Sequence, residues 1–236
     1  MRLLAFDTET AGLDGGVCEI AVVQIEENGI ILGKMESLID PERPISASAG
    51  GVHGIRDEDV ADKPTLKQWV EVNGNPFGGA DVVLIGHNVD FDIRMCADIL
   101  PETYRKIDTL KVAKQLWPES DNFKLQTLAY QYRLKAGAAH QALGDVITLI
   151  ELLKLQMSVC GKGIEGLIEL SEAPLSLDSY IGFGKHGPMG SDKIDGPKGT
   201  RLRNLPKSYI RWYLGTGDVD PALQEVLTPL YATLSR

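Results

Sequence analysis

Cysteine is scarce in this sequence. Cys18, Cys96 and Cys160 are widely separated. They offer neither a disulfide framework nor the paired spacing of a zinc site, which predicts a reducing compartment. Long apolar runs are also missing. None approaches the ~18 residues that a membrane span needs. The opening "MRLLAFD" meets an acid at position 7, too early for the apolar core of a signal peptide. The expectation is a soluble cytoplasmic protein with no membrane partner. Positive charge is the third scarcity: no lysine or arginine lies between Arg2 and Lys34, a stretch that contains "FDTET". The formal net charge of −9 argues against non-specific coating of nucleic acid. It does not argue against an enzyme whose carboxylates hold metal ions.

What is present suffices for a folded core: 43% of the 236 residues are hydrophobic and 24% charged. That length fits one large domain with a small appendage. The charge is unevenly spread, with a net of −11 over residues 1–175 and +5 over residues 181–211. A basic segment on an acidic body is either a phosphate-facing surface or a solvated loop.

The pattern predicts strands over residues 2–10, 17–26 and 30–39, the last two joined by a turn at Asn28-Gly29. A Pro/Gly/Ser-rich connection follows. Helices are expected over 65–72, 91–100, 110–117 and 123–133, with short strands at 81–86 and 107–109. Residues 142–159 carry the strongest helical periodicity, through Val146, Leu149, Ile150, Leu153 and Met157. The order predicts an α/β fold with a mixed central sheet flanked by helices. After about residue 170 the composition changes. Two further helices, "KSYIRWYL" and "PALQEVLTPLYATL", then predict a small C-terminal module over 171–236. Trp212 and Tyr213 are read as packing its core, with base stacking as the other use.

Three acidic clusters stand out. Asp7 and Glu9 share one face of the first strand, their Cα atoms ~6.5 Å apart. Ionised together and desolvated, they repel unless a cation joins them. Asp90 and Asp92, in "GHNVDFD", open a helix; they serve either as N-terminal caps or as ligands. Asp145, in "HQALGD", lies on the packed stripe of the long helix, and His140 precedes it by one turn. Oxygen donors in this number suit Mg²⁺ or Mn²⁺ rather than zinc. Two such ions ~3.5–4 Å apart would favour in-line phosphoryl displacement. A nearby imidazole suits proton transfer near neutral pH.

"DTET", "HNVDFD" and "HQALGD", in that order, resemble the motifs of the DEDDh 3′–5′ exonuclease superfamily. The resemblance spans roughly residues 1–160. In the tail, "FGKHG" and "LPKSYIRWYL" are similar to the exonuclease X branch, with residues 187–204 as an apparent insertion. The resemblance implies an RNase H-like exonuclease fold over 1–170. It also implies release of nucleoside 5′-monophosphates from DNA 3′ ends, single- or double-stranded, with two Mg²⁺ or Mn²⁺ ions. Asp7, Glu9 and Asp145 would hold one ion, Asp7 and Asp92 the other, and His140 would act as general base. Leu13 would wedge against the terminal base and Thr8 contact the terminal nucleotide. His53, with the backbone of 52–55, would line the strand path, and Asn88 would brace its turn. Lys185, Arg201, Arg203 and Lys207 are the expected phosphate contacts of the tail.

Other readings stay open at this point. RNA is a possible polymer for an exoribonuclease of the same superfamily, because that choice rests on contacts to the 2′-hydroxyl. A non-catalytic nucleic-acid binding module is another, although no ligand position is lost. An aspartyl-nucleophile phosphatase would need D-x-D where "DTE" stands.

Overall fold

The structure is a computed structural model that describes residues 1–118, 120–174, 176–179, 201–215 and 221–235. Among them, five strands form one sheet: β1 (Arg2–Gly12), β2 (Gly15–Ile25), β3 (Ile31–Leu38), β4 (Val82–Gly86) and β5 (Arg105–Asp108). The order is β3-β2-β1-β4-β5. β1, β2 and β3 form an antiparallel meander, whereas β4 and β5 run parallel to β1. The β2–β3 turn is closed by Asn28, whose Oδ1 accepts from Ile30 N at 2.9 Å, and by Gly29 at φ 82°.

β1 is central because both of its faces are apolar. Leu3 and Ala5 join Ala21, Val23, Ile85 and Ile107 on one side of the sheet. That side is covered by α5 (Thr109–Leu116), α7 (Ala142–Cys160) and α8 (Gly163–Glu172), through Val112, Val146, Leu149, Leu153 and Leu167. Leu4 and Phe6 face the other way, onto α3 (Leu66–Asn73) and α4 (Val89–Met95), with Trp69, Phe77, Val89 and Ile99. Each such side chain, fully buried, contributes about 1.5–3 kcal/mol before entropy is counted.

The structure departs from the sequence reading in five places. The connection after β3 is not irregular: it contains α1 (Ala47–His53) and the single turn α2 (Asp57–Val60). Ser46 caps α1 by accepting from Ala49 N, and Gly54 closes it in the left-handed region. α8 lies where no element was expected and crosses position 170. The helix expected over 91–100 is α4 followed by a 3-10 turn, Ala97–Ile99, because the chain bends at Cys96 to bury Ile99. The helix expected over 123–133 shrinks to α6 (Leu125–Gln131), since Phe123 turns into the core and Arg133 is left-handed.

The fifth departure lies in the tail. α9 (Lys207–Leu214) and α10 (Pro221–Thr233) pair as expected around Leu202, Leu205, Ile210 and Leu227. Tyr213 enters that cluster, but Trp212 stays 42% exposed beside the Tyr209 ring. Tyr209, Ile210 and Tyr213 form the buried stripe of α9, and Trp212 falls outside it. Lys185 and most of the 187–204 stretch lie outside the described residues.

Candidate active site

The site begins where β1 outruns β4. Their pairing ends at Ala5 and Ile85, so Asp7 and Glu9 lie beyond the carboxyl end of the parallel strands. Ligands of open α/β sheets collect at such ends. Both acids continue the Leu3–Ala5 face and so point to the side that α7 covers. A register shift between Glu9 and Thr10 kinks the strand at this point.

Asp92 arrives from α4. β4 ends at Gly86, where an added Cβ would meet Val89 Cγ2 at 2.7 Å, so only glycine permits the tight turn into α4. Asn88 is left-handed at φ 69°, and its N donates to Asp108 Oδ1 at 3.0 Å. That same oxygen accepts from Leu110 N and caps α5. The turn is thus braced through the backbone N–H of Asn88. Asp92 is buried, and its Oδ1 accepts from Thr8 N at 3.0 Å and Thr8 Oγ1 at 2.7 Å. Thr8 therefore spends its hydroxyl on Asp92. Asp90 points elsewhere, to Lys106 and Lys111. His87 is buried between Thr109 Oγ1 and Phe123 O and packs rather than reacts.

Asp145 and His140 come from the start of α7. A Cβ on Gly144 would lie 2.0 Å from Ala138 O, and one on Gly137 would lie 2.4 Å from Gly144 O. This backbone contact folds the preceding loop over the helix start. His140, at φ 59°, then donates its N–H to Asp145 Oδ2 at 3.1 Å, and Gln126 Nε2 donates to Asp145 Oδ1. Donor atoms of Glu9, His140 and Asp145 lie within 4.8 Å of one another. Asp7 and Asp92 are outside that trio, but Asp7 feels the charge of Asp92, Asp145 and Glu9, and Glu9 feels that of Asp145 and Asp92.

Glu19 was missed in the sequence. Hairpin register places it directly opposite Glu9, and its Oε2 accepts from Ala142 N at 2.7 Å. Counting residues back across the Asn28-Gly29 turn does not reveal it, because β1 and β2 join through a separate turn. Gln126 was missed too, since nothing local marks a helix glutamine as an Asp145 partner.

The electrostatics follow from crowding without compensation. Among the described residues, no lysine or arginine pairs with Asp7, Glu9, Glu19, Asp92 or Asp145. Burial first, then Asp92, Asp145, Glu9 and Glu19, holds Asp7 well above the usual carboxylate range. Burial, Asp145, Glu19 and Asp92 push Glu9 up to about 7. Burial raises Asp92 to about 7, against the opposing Thr8 hydrogen bonds. Burial also raises Asp145, opposed by the His140 N–H and Gln126. A cluster of hard oxygen donors carrying this penalty fits a divalent cation.

The remaining expected residues lie around this centre. Leu13 is 81% exposed on the β1–β2 turn. His53 ends α1, with Nδ1 accepting from Ile55 N at 3.1 Å and Nε2 within 3.2 Å of Thr10 O. Arg201 and Arg203 both pair with Asp178, so their charge is partly offset. Lys207 lies over the Tyr231 ring at 5.8 Å.

The exonuclease family named for RNase T matches residues 4–153. This chain belongs to that exonuclease family. It is accordingly a 3′–5′ exonuclease of the DEDDh group, and its mixed five-stranded sheet is the RNase H-like fold of that group. Exodeoxyribonuclease 10 of Escherichia coli K12 is 33% identical over 235 residues, covering 95% of this chain and 96% of that one. A solved structure, exonuclease X in complex with 5′ overhanging duplex DNA, is 32% identical. Its TM-score is 0.61, over 72% of this chain and 99% of that one. E. coli exonuclease I in complex with a dT13 oligonucleotide shares the fold, with a TM-score of 0.61 and 20% identity over 68% of this chain and 42% of that one. No helix among the described residues is long and apolar enough to cross a membrane.

Proposed function

We propose that this exonuclease acts on DNA, releasing nucleoside 5′-monophosphates from 3′ ends with two bound Mg²⁺ or Mn²⁺ ions. The observation that carries the reading is the convergence of Asp7, Glu9, Asp92 and Asp145, uncompensated by any lysine or arginine among the described residues, with His140 beside Glu9 and Asp145. Similarity to an exodeoxyribonuclease along 95% of the chain supports DNA over RNA. Asp7, Glu9 and Asp145 would hold one ion, and Asp7 with Asp92 the other. When bound, such ions offset the charge of the attacked phosphate and acidify water.

This chain's own side chains do the rest. The His140 imidazole, close to Glu9 and Asp145, takes the proton from the attacking water. Thr8 fixes Asp92, and its contact with the terminal nucleotide is through the strand it sits on. Leu13, projecting from its turn, wedges against the terminal base. His53 and residues 52–55 line the strand path. Residues 1–170 form the exonuclease unit in this reading, supported by α8, which packs on the sheet and ends at Glu172. The tail is a second unit in which Arg201, Arg203 and Lys207, and Lys185 outside the described residues, meet phosphates.

The test is digestion of 5′-labelled DNA and RNA of one sequence, with single-stranded, recessed and blunt 3′ ends. A single-nucleotide ladder on DNA, abolished by excess chelator and restored by Mg²⁺, is the expected result. Turnover in chelator, or a preference for RNA, would overturn it.

A further inference from the structure

Beside the acidic site lies a cavity of about 660 Å³ between α6 and the loop that leads to His140. Its size is that of small-ligand sites, roughly 300–1,000 Å³. Gln126, Ala129, Tyr130, Arg133 and Leu134 line it. One wall is shared with the chemistry, because Gln126 also hydrogen-bonds Asp145.

Packing does not explain the residues that line it. The inner face of α6 is served by Leu125 and Leu128, and Trp117 packs against Tyr132 with ring centroids 4.5 Å apart. Tyr130 is left 88% exposed. A lone exposed aromatic is ordinary; one that faces a cavity beside a guanidinium and an amide is a set of recognition groups. Arg133 adds a second, independent observation. α6 ends with Leu134 N donating to Ala129 O at 2.9 Å and Arg133 N donating to Tyr130 O at 3.2 Å. That closure places its left-handed residue at Arg133, φ 54°, where glycine is the usual occupant. An arginine held there at a conformational cost points to a use for its side chain. Among the described residues, the guanidinium of Arg133 and the hydroxyl of Tyr130 have no hydrogen-bond or ion-pair partner.

We propose that this groove holds one nucleotide of the nucleic-acid substrate outside the scissile position, its base stacked on Tyr130 and its phosphate paired with Arg133. An aromatic face accepts any base, and a guanidinium matches a phosphate in two places. The site therefore adds affinity without sequence preference. It deepens the exonuclease reading and rests on it. The Gln126–Asp145 bond gives occupancy of the groove a direct path to the catalytic carboxylates.

The experiment uses the full chain and the variants Tyr130→Ala, Tyr130→Phe and Arg133→Gly. Binding of a fluorescent oligothymidylate is followed by anisotropy in excess chelator, where no turnover occurs. Tyr130→Ala should weaken binding about fivefold or more, and Tyr130→Phe should restore it. Arg133→Gly should flatten the log–log salt slope by about 0.7. Its melting temperature should hold or rise, since glycine relieves the left-handed backbone, so lost affinity is not lost folding. In Mg²⁺, the ratio of kcat/KM for the oligonucleotide to that for thymidine 5′-(4-nitrophenyl) phosphate, which offers only the terminal unit, should fall for Tyr130→Ala. Unchanged oligonucleotide affinity, or equal losses on both substrates, would overturn the groove. Absence of metal-dependent turnover in the unmodified protein would count against the exonuclease reading instead, while the anisotropy still decides the groove.

Discussion

Glu9 shows what holds the site together and what it costs. It sits among Asp145, Glu19 and Asp92, and burial with that repulsion lifts its carboxyl to about 7. In the unfolded chain it titrates in the ordinary range, near ~4.3. Between those two values the folded protein binds a proton that the unfolded chain has released. Without metal, stability therefore falls as pH rises through that window, and Asp92, also at about 7, adds to the fall. Glu9→Gln should make the chelated protein more stable than the parent at pH 8, with the gap closing toward pH 4. It should also abolish stabilisation by Mg²⁺. Urea melts at both pH values check this, and a less stable variant at pH 8 defeats it. His140 is a different kind of residue, exposed and held by its backbone rather than its ring. His140→Ala should slow hydrolysis by roughly 10²–10⁴ at saturating Mg²⁺ while leaving the melting temperature alone. Single-turnover kinetics measures it, and an unchanged rate removes the general base.

At the scale of elements, the start of α7 is the joint on which the site turns. Gly144 and Gly137 let two backbones touch, and Glu19 on β2 accepts from Ala142 N at the helix start. β2, α7 and the His140 loop are thereby locked together. Gly144→Ala places a methyl group on Ala138 O, and backbone cannot yield as a flexible side chain can. The loop must move, taking His140 with it. The expected outcome is a loss of kcat approaching that of His140→Ala, with Mg²⁺ binding less affected because Asp7, Glu9 and Asp92 stay in place. Isothermal titration of metal, set beside kcat, separates the two; parental kcat would show that the loop relaxes harmlessly. Motif spacing made "HQALGD" legible as a helix start with an acid on its inner stripe. It said nothing of Gly144, because a contact six residues upstream leaves no local trace.

Over the whole molecule, an acidic body carries a basic tail with its own apolar cluster. Replacing Arg201, Arg203 and Lys207 together by glutamine in the full chain should weaken DNA binding. It should also flatten the log–log salt slope by about 2 to 3, near 0.7–0.9 per contact. Asp178, freed of both arginines, works in the same direction by repelling phosphate. An unaltered slope in a salt titration would assign the tail to something other than phosphate. By itself the sequence determined the strand that carries Asp7 and Glu9 on one face, the long buried helix and the order of the three acidic motifs. Those depend on alternation and helical period, which are local and covalent. Only the tertiary structure decided that Glu19 faces Glu9, that Thr8 is spent on Asp92, that Gln126 reaches Asp145 and that Gly144 folds the His140 loop. Each is a contact between segments that strand register and close backbone approach bring together, and neither is written in the spacing of residues along one segment.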